Sequence, residues 1–409
     1  MDIQGFRCHV VSSCVAAAML AGCGGGSGTP LSPSPAGLTA TRTAGSVKYK
    51  TLYSFSGRGK NGASLYAPLT AVNGVLYGAA SHGGLESDGT VFAITTSGKE
   101  TTLHSFEGYD GVGPLAGLVD MKGTFYGTTI GGGDRGSCGS SSYCGTVFAI
   151  TPSGKETVLH NFSAGADGAE PDADLISVKS TLYSTTLLGG ATDGGTVFAI
   201  TTSGKERVLH SFGAKGDGVL PRAGLTDLNG TLYGTTETGG SGGCGSAGGC
   251  GTVFAITTSG KETVLHNFLG GTDGAAPLDD LIDVNGTLYG TTGGGGTSNA
   301  GTVFSIKPSG KEAVLYSFKG GKTDGAHPWA GLTNVNGTLY GSTVNGGASA
   351  DGTVFSITLS GKETVLHSFA RYEDGQYPYA DLLDDDGTLY GTTAYGGVYG
   401  YGTVFTLKP

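Results

Sequence analysis

GTVFAITTSGKETVLHNF, residues 251–268, decides how this chain is read. Two runs rich in β-branched and aromatic residues flank Ser259-Gly260-Lys261, the pattern of two strands joined by a tight turn. The first four letters recur along the chain. GTVF appears with its glycine at Gly89, Gly145, Gly195, Gly251, Gly301, Gly352 and Gly402, at intervals of 56, 50, 56, 50, 51 and 50 residues. A period near fifty marks a repeat architecture. The two ends complement each other: the array opens with a VLHSF-like segment that lacks a preceding GTVF, and it closes on a GTVF that lacks the following segment.

Outward from that hairpin, the unit 221–268 supplies two more strands. Ala223 to Asn229 is a short apolar run, and Asn229-Gly230 is the dipeptide that favours a two-residue turn because both residues tolerate positive φ. Thr231 to Thr235 follows, then a Gly-rich loop back to GTVF. The turn recurs at Asn73-Gly74, Lys122-Gly123, Asn285-Gly286, Asn336-Gly337 and Asp386-Gly387, with Lys179-Ser180 as the departure. Each repeat is therefore expected to be a four-stranded antiparallel meander, and such sheets repeated radially form a β-propeller. Lys48 to Phe55 matches a fourth strand and Gly402 to Leu407 a third, so the last blade draws its outermost strand from the start of the array. The predicted fold is an all-β, seven-bladed propeller closed by strand 48–55. A solenoid would need capping repeats at its ends, and these ends look like ordinary blade pieces. The glycine after most of the repeated tyrosines is expected to let neighbouring sheets approach closely.

The order P-x-A-G-L-x-x-x-N-G-T-L-Y-G-x-x-x-G-G is similar to kelch blades, without their tryptophan. More closely, the recurrent GTVF-x-I-x-x-SGKE-x-x-LHSF resembles the GloVer tandem repeat of bacterial surface proteins that carry differing anchors. The resemblance spans about residues 47–409. It implies an exported, anchored repeat protein and transfers no reaction.

The N-terminus fits export. Arg7 precedes a short apolar stretch from Val10 to Leu20, and Leu20-Ala21-Gly22-Cys23 resembles a bacterial lipobox. The expected organisation is a lipoprotein-type signal peptide over 1–22, a lipidated Cys23 with a Gly/Ser/Pro/Thr tether over 23–46, and the propeller over 47–409. This predicts an exported bacterial lipoprotein at the outer membrane or cell surface, touching the membrane only through its lipid. Eighty glycines among 409 residues, about a fifth against a usual 7% or so, fit a turn-rich β protein. A net charge of −10 without any basic run argues against nucleic acid. Cys138 with Cys144, and Cys244 with Cys250, sit before a GTVF in the two repeats that are six residues too long. They read as disulfides pinning inserted loops; their spacing does not suit a four-cysteine zinc site.

Three repeated motifs have plain readings. SGKE lacks the GxxxxGK[ST] spacing of a phosphate loop and reads as a turn. Histidine recurs at His104, His160, His210, His266 and His367, but Tyr53 and Tyr316 occupy the equivalent positions, so the position reads as a packed ring with a polar tip. Asp-Gly at Asp110, Asp167, Asp217, Asp273, Asp324 and Asp374, with Asn61-Gly62 in the first repeat, lacks the alternating oxygens of a calcium loop and reads as a turn former. Neither catalytic residue, nor metal, nor cofactor is nominated, and a monomer is expected.

In a meander the Asn-Gly and Ser-Gly-Lys turns share one face, and the varied loops after LYG and around Asp-Gly share the other. Diversified loops read as the working surface. On that face one aligned position runs Tyr66, Leu115, Asp172, Arg222, Leu278, Trp329 and Tyr379. Tyr66, Trp329 and Tyr379, joined by Tyr377, Tyr395 and Tyr399, predict an aromatic arc that binds a glycan or a surface protein, with Arg222 and Asp172 on neighbouring blades. Glu237 and Glu86 are too scattered in sequence to make an enzyme with them. A polysaccharide lyase or hydrolase, and a purely structural or adhesive protein, are the competing readings.

Overall fold

Each GTVF segment becomes the third strand of a four-stranded antiparallel sheet, and seven such sheets stand around one axis. The computed structural model describes residues 47–134, 144–244, 248–372 and 374–409. Blade one comprises Thr70–Val72, Val75–Ala80, Thr90–Thr95 and Glu100–Ser105. Blades two to six repeat this order over 119–161, 176–211, 226–267, 282–317 and 333–368. Blade seven takes Leu383–Asp385, Thr388–Thr393 and Thr403–Lys408 from the end of the chain, and Lys48–Ser54 pairs with its third strand as the outermost. The three-residue first strands lie innermost; each touches the next, and the seventh touches the first. The ring is closed, as the mismatched ends imply.

Local chemistry sets each element. Asn73 and Gly74 at φ 53° and 75° adopt the paired positive values that a two-residue hairpin requires. Lys179 and Ser180 adopt 50° and 67° without a glycine's freedom. Inside six blades a threonine from the second strand meets the GTVF threonine, hydroxyl to hydroxyl, at 2.8–2.9 Å. In blade one Ala80 replaces the first of these, and the buried Thr90 hydroxyl has no hydrogen-bond partner.

The core is a set of seams between adjacent blades. Tyr77, Val91 and Phe106 of blade one pack on Leu118, Phe125, Phe148 and Ile150 of blade two, and equivalent clusters follow around the ring, with blade seven packed on blade one through Tyr390, Val404 and Phe92. The glycine after the repeated tyrosine serves its own blade first. A Cβ at Gly78 would lie 2.7 Å from Phe92 Cζ and 2.8 Å from Leu69 Cδ2, so the vacated space belongs to the blade's own phenylalanine and not to a neighbouring backbone.

The Ser-Gly-Lys turns do more than reverse the chain. In six blades of the ring the fourth strand carries a bulge at the repeated leucine, and blade seven has its own at Leu52. The next blade's turn glycine sits on that leucine's carbonyl. A Cβ at Gly98, Gly154, Gly204, Gly260, Gly310 or Gly361 would stand only 2.3–2.7 Å from the oxygen, and φ there is 83–95°.

Candidate functional site

The two faces of the ring divide as the meander dictates. Asn-Gly and Ser-Gly-Lys turns occupy one face; on the other, in every blade, the loop after the second strand is bridged to the loop entering the blade, as at Gly62 with Gly83 or Gln376 with Tyr395. Leu85, Tyr109, Leu269, Tyr372, Tyr395, Val398, Tyr399 and Tyr401 are the exposed large hydrophobic side chains among the described residues. All eight lie in loops of that face, and five of them belong to the loops of blade seven.

A repeated corner aims the variable position. Ser64, Gly113, Glu170, Leu220, Ala276, His327 and Tyr377 all have φ between 53° and 64°, a left-handed conformation costly for six of the seven. Each corner N–H donates to a loop carbonyl of the preceding blade at 2.7–3.0 Å, for example Tyr377 to Asp351 and Ala276 to Cys250. Its own carbonyl accepts from the loop after the second strand, as Tyr377 does from Ala394. Because two backbone bonds fix the corner, the side chain two residues on is placed independently of its identity.

The predicted aromatic residues come together there. Tyr66 and Tyr379 have ring centroids 5.1 Å apart, and Trp329 meets Tyr379 edge-on at 5.2 Å. The Tyr66 and Tyr395 hydroxyls are 2.8 Å apart, and Tyr395 meets Tyr377 at 6.2 Å. Tyr66, Trp329, Tyr377 and Tyr379 are half-buried, whereas Tyr395 and Tyr399 are exposed. Burial, with Tyr395 and Tyr377 nearby, pushes the Tyr379 phenol up to about 12, so it presents a neutral hydroxyl. Among the described residues Tyr399 makes no ring contact. A concavity of about 450 Å³ lined by residues including Gly321, Lys322, Asn345 and Ser349 lies among the loops of blade six, and none of the arc's rings lines it. The arc is an open platform.

The charged candidates also converge. Arg222 donates through Nη1 to Asp172 at 2.9 Å and through Nε to Glu237 at 3.1 Å. Burial raises the Asp172 carboxyl to about 7 despite Arg222, and its Oδ1 has no hydrogen-bond partner. Burial works against the Arg222 charge, but Asp172 and Glu237 outweigh it and raise its pKa. Glu86 stands elsewhere, acting on Asp88.

Two groupings have no counterpart in the sequence reading. At the axis the residue before the blade's leucine alternates around the ring: Pro68, Gly117, Asp174, Gly224, Asp280, Gly331, Asp381. Gly117 N–H donates to Asp174 at 2.6 Å and Gly331 N–H to Asp381 at 2.5 Å. Asp279 joins them, 2.9 Å from the Gly331 nitrogen. Burial among like charges raises the pKa of Asp279 and Asp280 well above the ordinary value, and that of Asp381 to about 7. These residues keep some solvent contact, while the carboxyls themselves are packed by neighbouring chain.

The second grouping lies at the outer seams. Each repeated histidine packs edge-on against the phenylalanine two residues later, at 4.7–4.9 Å. Its Nε2 also reaches the Asp-Gly aspartate: 2.9 Å for His104 and Asp110, 3.0 Å for His210 and Asp217, 3.3 Å for His266 and Asp273, 2.6 Å for His367 and Asp374. The aspartates bond their own loop backbone, as Asp110 accepts from the Glu107 N–H at 2.8 Å. The SGKE glutamate of the following blade completes the set. A blade-against-blade alignment of the three motifs carries this signal, because their exceptions fall at shared seams.

Cys244 and Cys250 form a disulfide. Cys144 is disulfide-bonded; Cys138, like Cys23 and everything before residue 47, lies outside the described residues. Among the described residues no helix is long and apolar enough to cross a membrane.

The Gloeobacter/Verrucomicrobia repeat model matches residues 36–139, 135–333 and 313–409. No curated protein matches the chain. Among solved structures it is similar to the tricorn protease, at 12% identity and TM-score 0.40, covering 80% of this chain and 29% of that one. It is also similar to a putative 6-phosphogluconolactonase from Bacteroides uniformis, at 14% and 0.48, covering 78% and 88%. A gluconolactonase from Xanthomonas campestris gives 12% and 0.42, covering 89% and 90%. This chain thus spans less than a third of the tricorn protease, and at these values none of the three bears on activity.

Proposed function

The chain belongs to the Gloeobacter/Verrucomicrobia repeat family, and on that premise we propose that it is a non-catalytic binding module of the bacterial cell surface. It is exported, tethered through a lipid on Cys23 and the 23–46 segment, and takes a glycan chain on the aromatic arc. The observation that carries this reading is the concentration of every exposed large hydrophobic side chain among the described residues on the loop face. Exposed apolar side chains concentrated on one face, most of them around one blade, mark an interaction surface. Flat rings with polar tips suit sugar rings, and corner-fixed backbone gives the platform a preorganised shape.

Polysaccharide pull-down and glycan arrays with the parent, Trp329→Ala and Tyr379→Ala test it. The expected result is retention by the parent and at least a tenfold loss in each variant; no retention, or retention unchanged by both, overturns it. The unpartnered Asp172 oxygen, on a carboxyl that holds its proton near neutrality, favours a second reading in which the same face acts on a polysaccharide by proton transfer. Turnover abolished by Asp172→Asn distinguishes that reading from binding alone.

A further inference from the structure

We propose that the outer seams between blades one and two, three and four, and four and five are divalent transition-metal sites, built from His104, Asp110 and Glu156, from His210, Asp217 and Glu262, and from His266, Asp273 and Glu312. This departs from the expectation of a merely packed histidine. In each set one ligand atom from every residue lies within 4.8 Å of the others. One imidazole with two carboxylates suits Zn²⁺ and its first-row neighbours, which accept mixed nitrogen and oxygen donors. The histidine side chains are 19–21% exposed, leaving a solvent side for water ligands.

The seams of this one chain meet their glutamates in different ways. At the Tyr53 seam the protein itself satisfies the glutamate. Tyr53 and the Asn61 amide donate to Glu100 at 3.4 and 3.2 Å; at the Tyr316 seam the hydroxyl donates to Asp324 at 2.9 Å. At the three proposed seams the histidine Nε2 is spent on the aspartate. Oε1 of Glu156, Glu262 and Glu312 is then buried without a hydrogen-bond partner, as is Oε1 of Glu206 at the His160 seam. A buried carboxylate oxygen left this way is costly, and a cation bridging it to the imidazole and aspartate removes the cost. Among the described residues no other seam brings three such ligand atoms this close. At His160 the Asp167 oxygen is 3.4 Å away and Ser163 also bonds that aspartate. At His367 the glutamate position is Tyr49, stacked on the imidazole at 3.8 Å. The ligands of each proposed site come from two blades, so the ion would staple neighbours at their outer edge, away from the aromatic arc and independently of the glycan reading.

The full chain, stripped with EDTA and dialysed against ZnCl₂ at pH 7.5, tests this by metal analysis and calorimetry. The expected result is that His104→Tyr, His210→Tyr and His266→Tyr together remove three bound equivalents, using a residue that the Tyr316 seam already accommodates. Glu156→Gln, Glu262→Gln and Glu312→Gln, combined in a second variant, are expected to weaken the same equivalents at least tenfold. Zn²⁺ should raise the Tm of the parent and EDTA should reverse the rise, a readout that needs no variant to fold. Absence of Zn²⁺, Co²⁺ and Ni²⁺ uptake by the parent, or equivalents retained in both variants, overturns the proposal.

Discussion

Single hydroxyls and carboxyls are where this repeat reveals its own tolerances, because each position has six internal controls. Thr90 is wholly buried, and its hydroxyl lacks the partner that Thr129, Thr186, Thr236, Thr292, Thr343 and Thr393 supply in the other blades. Ala80→Thr restores that bond in a space the other blades fill with the same side chain. Urea unfolding should show a gain of about 1 kcal/mol, the usual net value of one buried hydrogen bond; a loss would mean that blade one has closed around alanine. At Arg222 the reverse holds. Truncating it leaves Asp172 and Glu237 buried without their cation, so Arg222→Ala should cost about 3 kcal/mol in the same measurement, and an effect under 0.5 kcal/mol or so would show that both acids are held protonated.

The turns and corners explain how identical strands become a ring. Six Ser-Gly-Lys glycines dock on the preceding blade's bulged leucine carbonyl, so each turn is a joint as well as a reversal. Gly204→Ala puts a Cβ 2.4 Å from Leu159 O at φ 84°, and the expected loss is about 1–3 kcal/mol. Lys179→Asn with Ser180→Gly acts oppositely: it relieves two non-glycine residues of positive φ and should stabilise blade three by about 1 kcal/mol. A chemical denaturation series checks both, and equal stabilities would sink the docking account. The strands, the hairpin turns and the closing strand were legible because β-periodicity and Asn-Gly chemistry act within a few residues. The seams were not. His104, Asp110 and Glu156 are each bland in their own motif, and only the curvature that lays one fourth strand against the next makes them neighbours. The axial alternation of Gly117, Asp174, Gly224, Asp280, Gly331 and Asp381 was visible in aligned repeats, but its meaning needs the centre of the ring. The adjacency of Trp329, Tyr379 and Tyr66 was legible because blade order alone makes them neighbours.

The whole molecule stores its carboxyls in an unusual state. Burial, chiefly, holds Glu156, Glu206, Glu262, Glu312, Asp172 and Asp381 at about 7, from ordinary values of 4.5 and 3.8. The folded chain therefore binds these protons more tightly than the unfolded chain. The resulting stability is fully present below the ordinary values and is lost as pH rises through about 7. In EDTA, Tm should be higher at pH 5 than at pH 8; a flat or inverted profile would show that these groups relax into water. Closure has a further geometric result. In every blade the fourth strand runs from the turn face towards the loop face, and in blade seven that strand begins at Lys48, paired with Lys408. Whatever precedes residue 47 thus joins the ring at its uniform side. Under the proposed lipid tether the disc would be held like a shield by its grip, with the diversified rim of tyrosines and tryptophan facing away from the membrane.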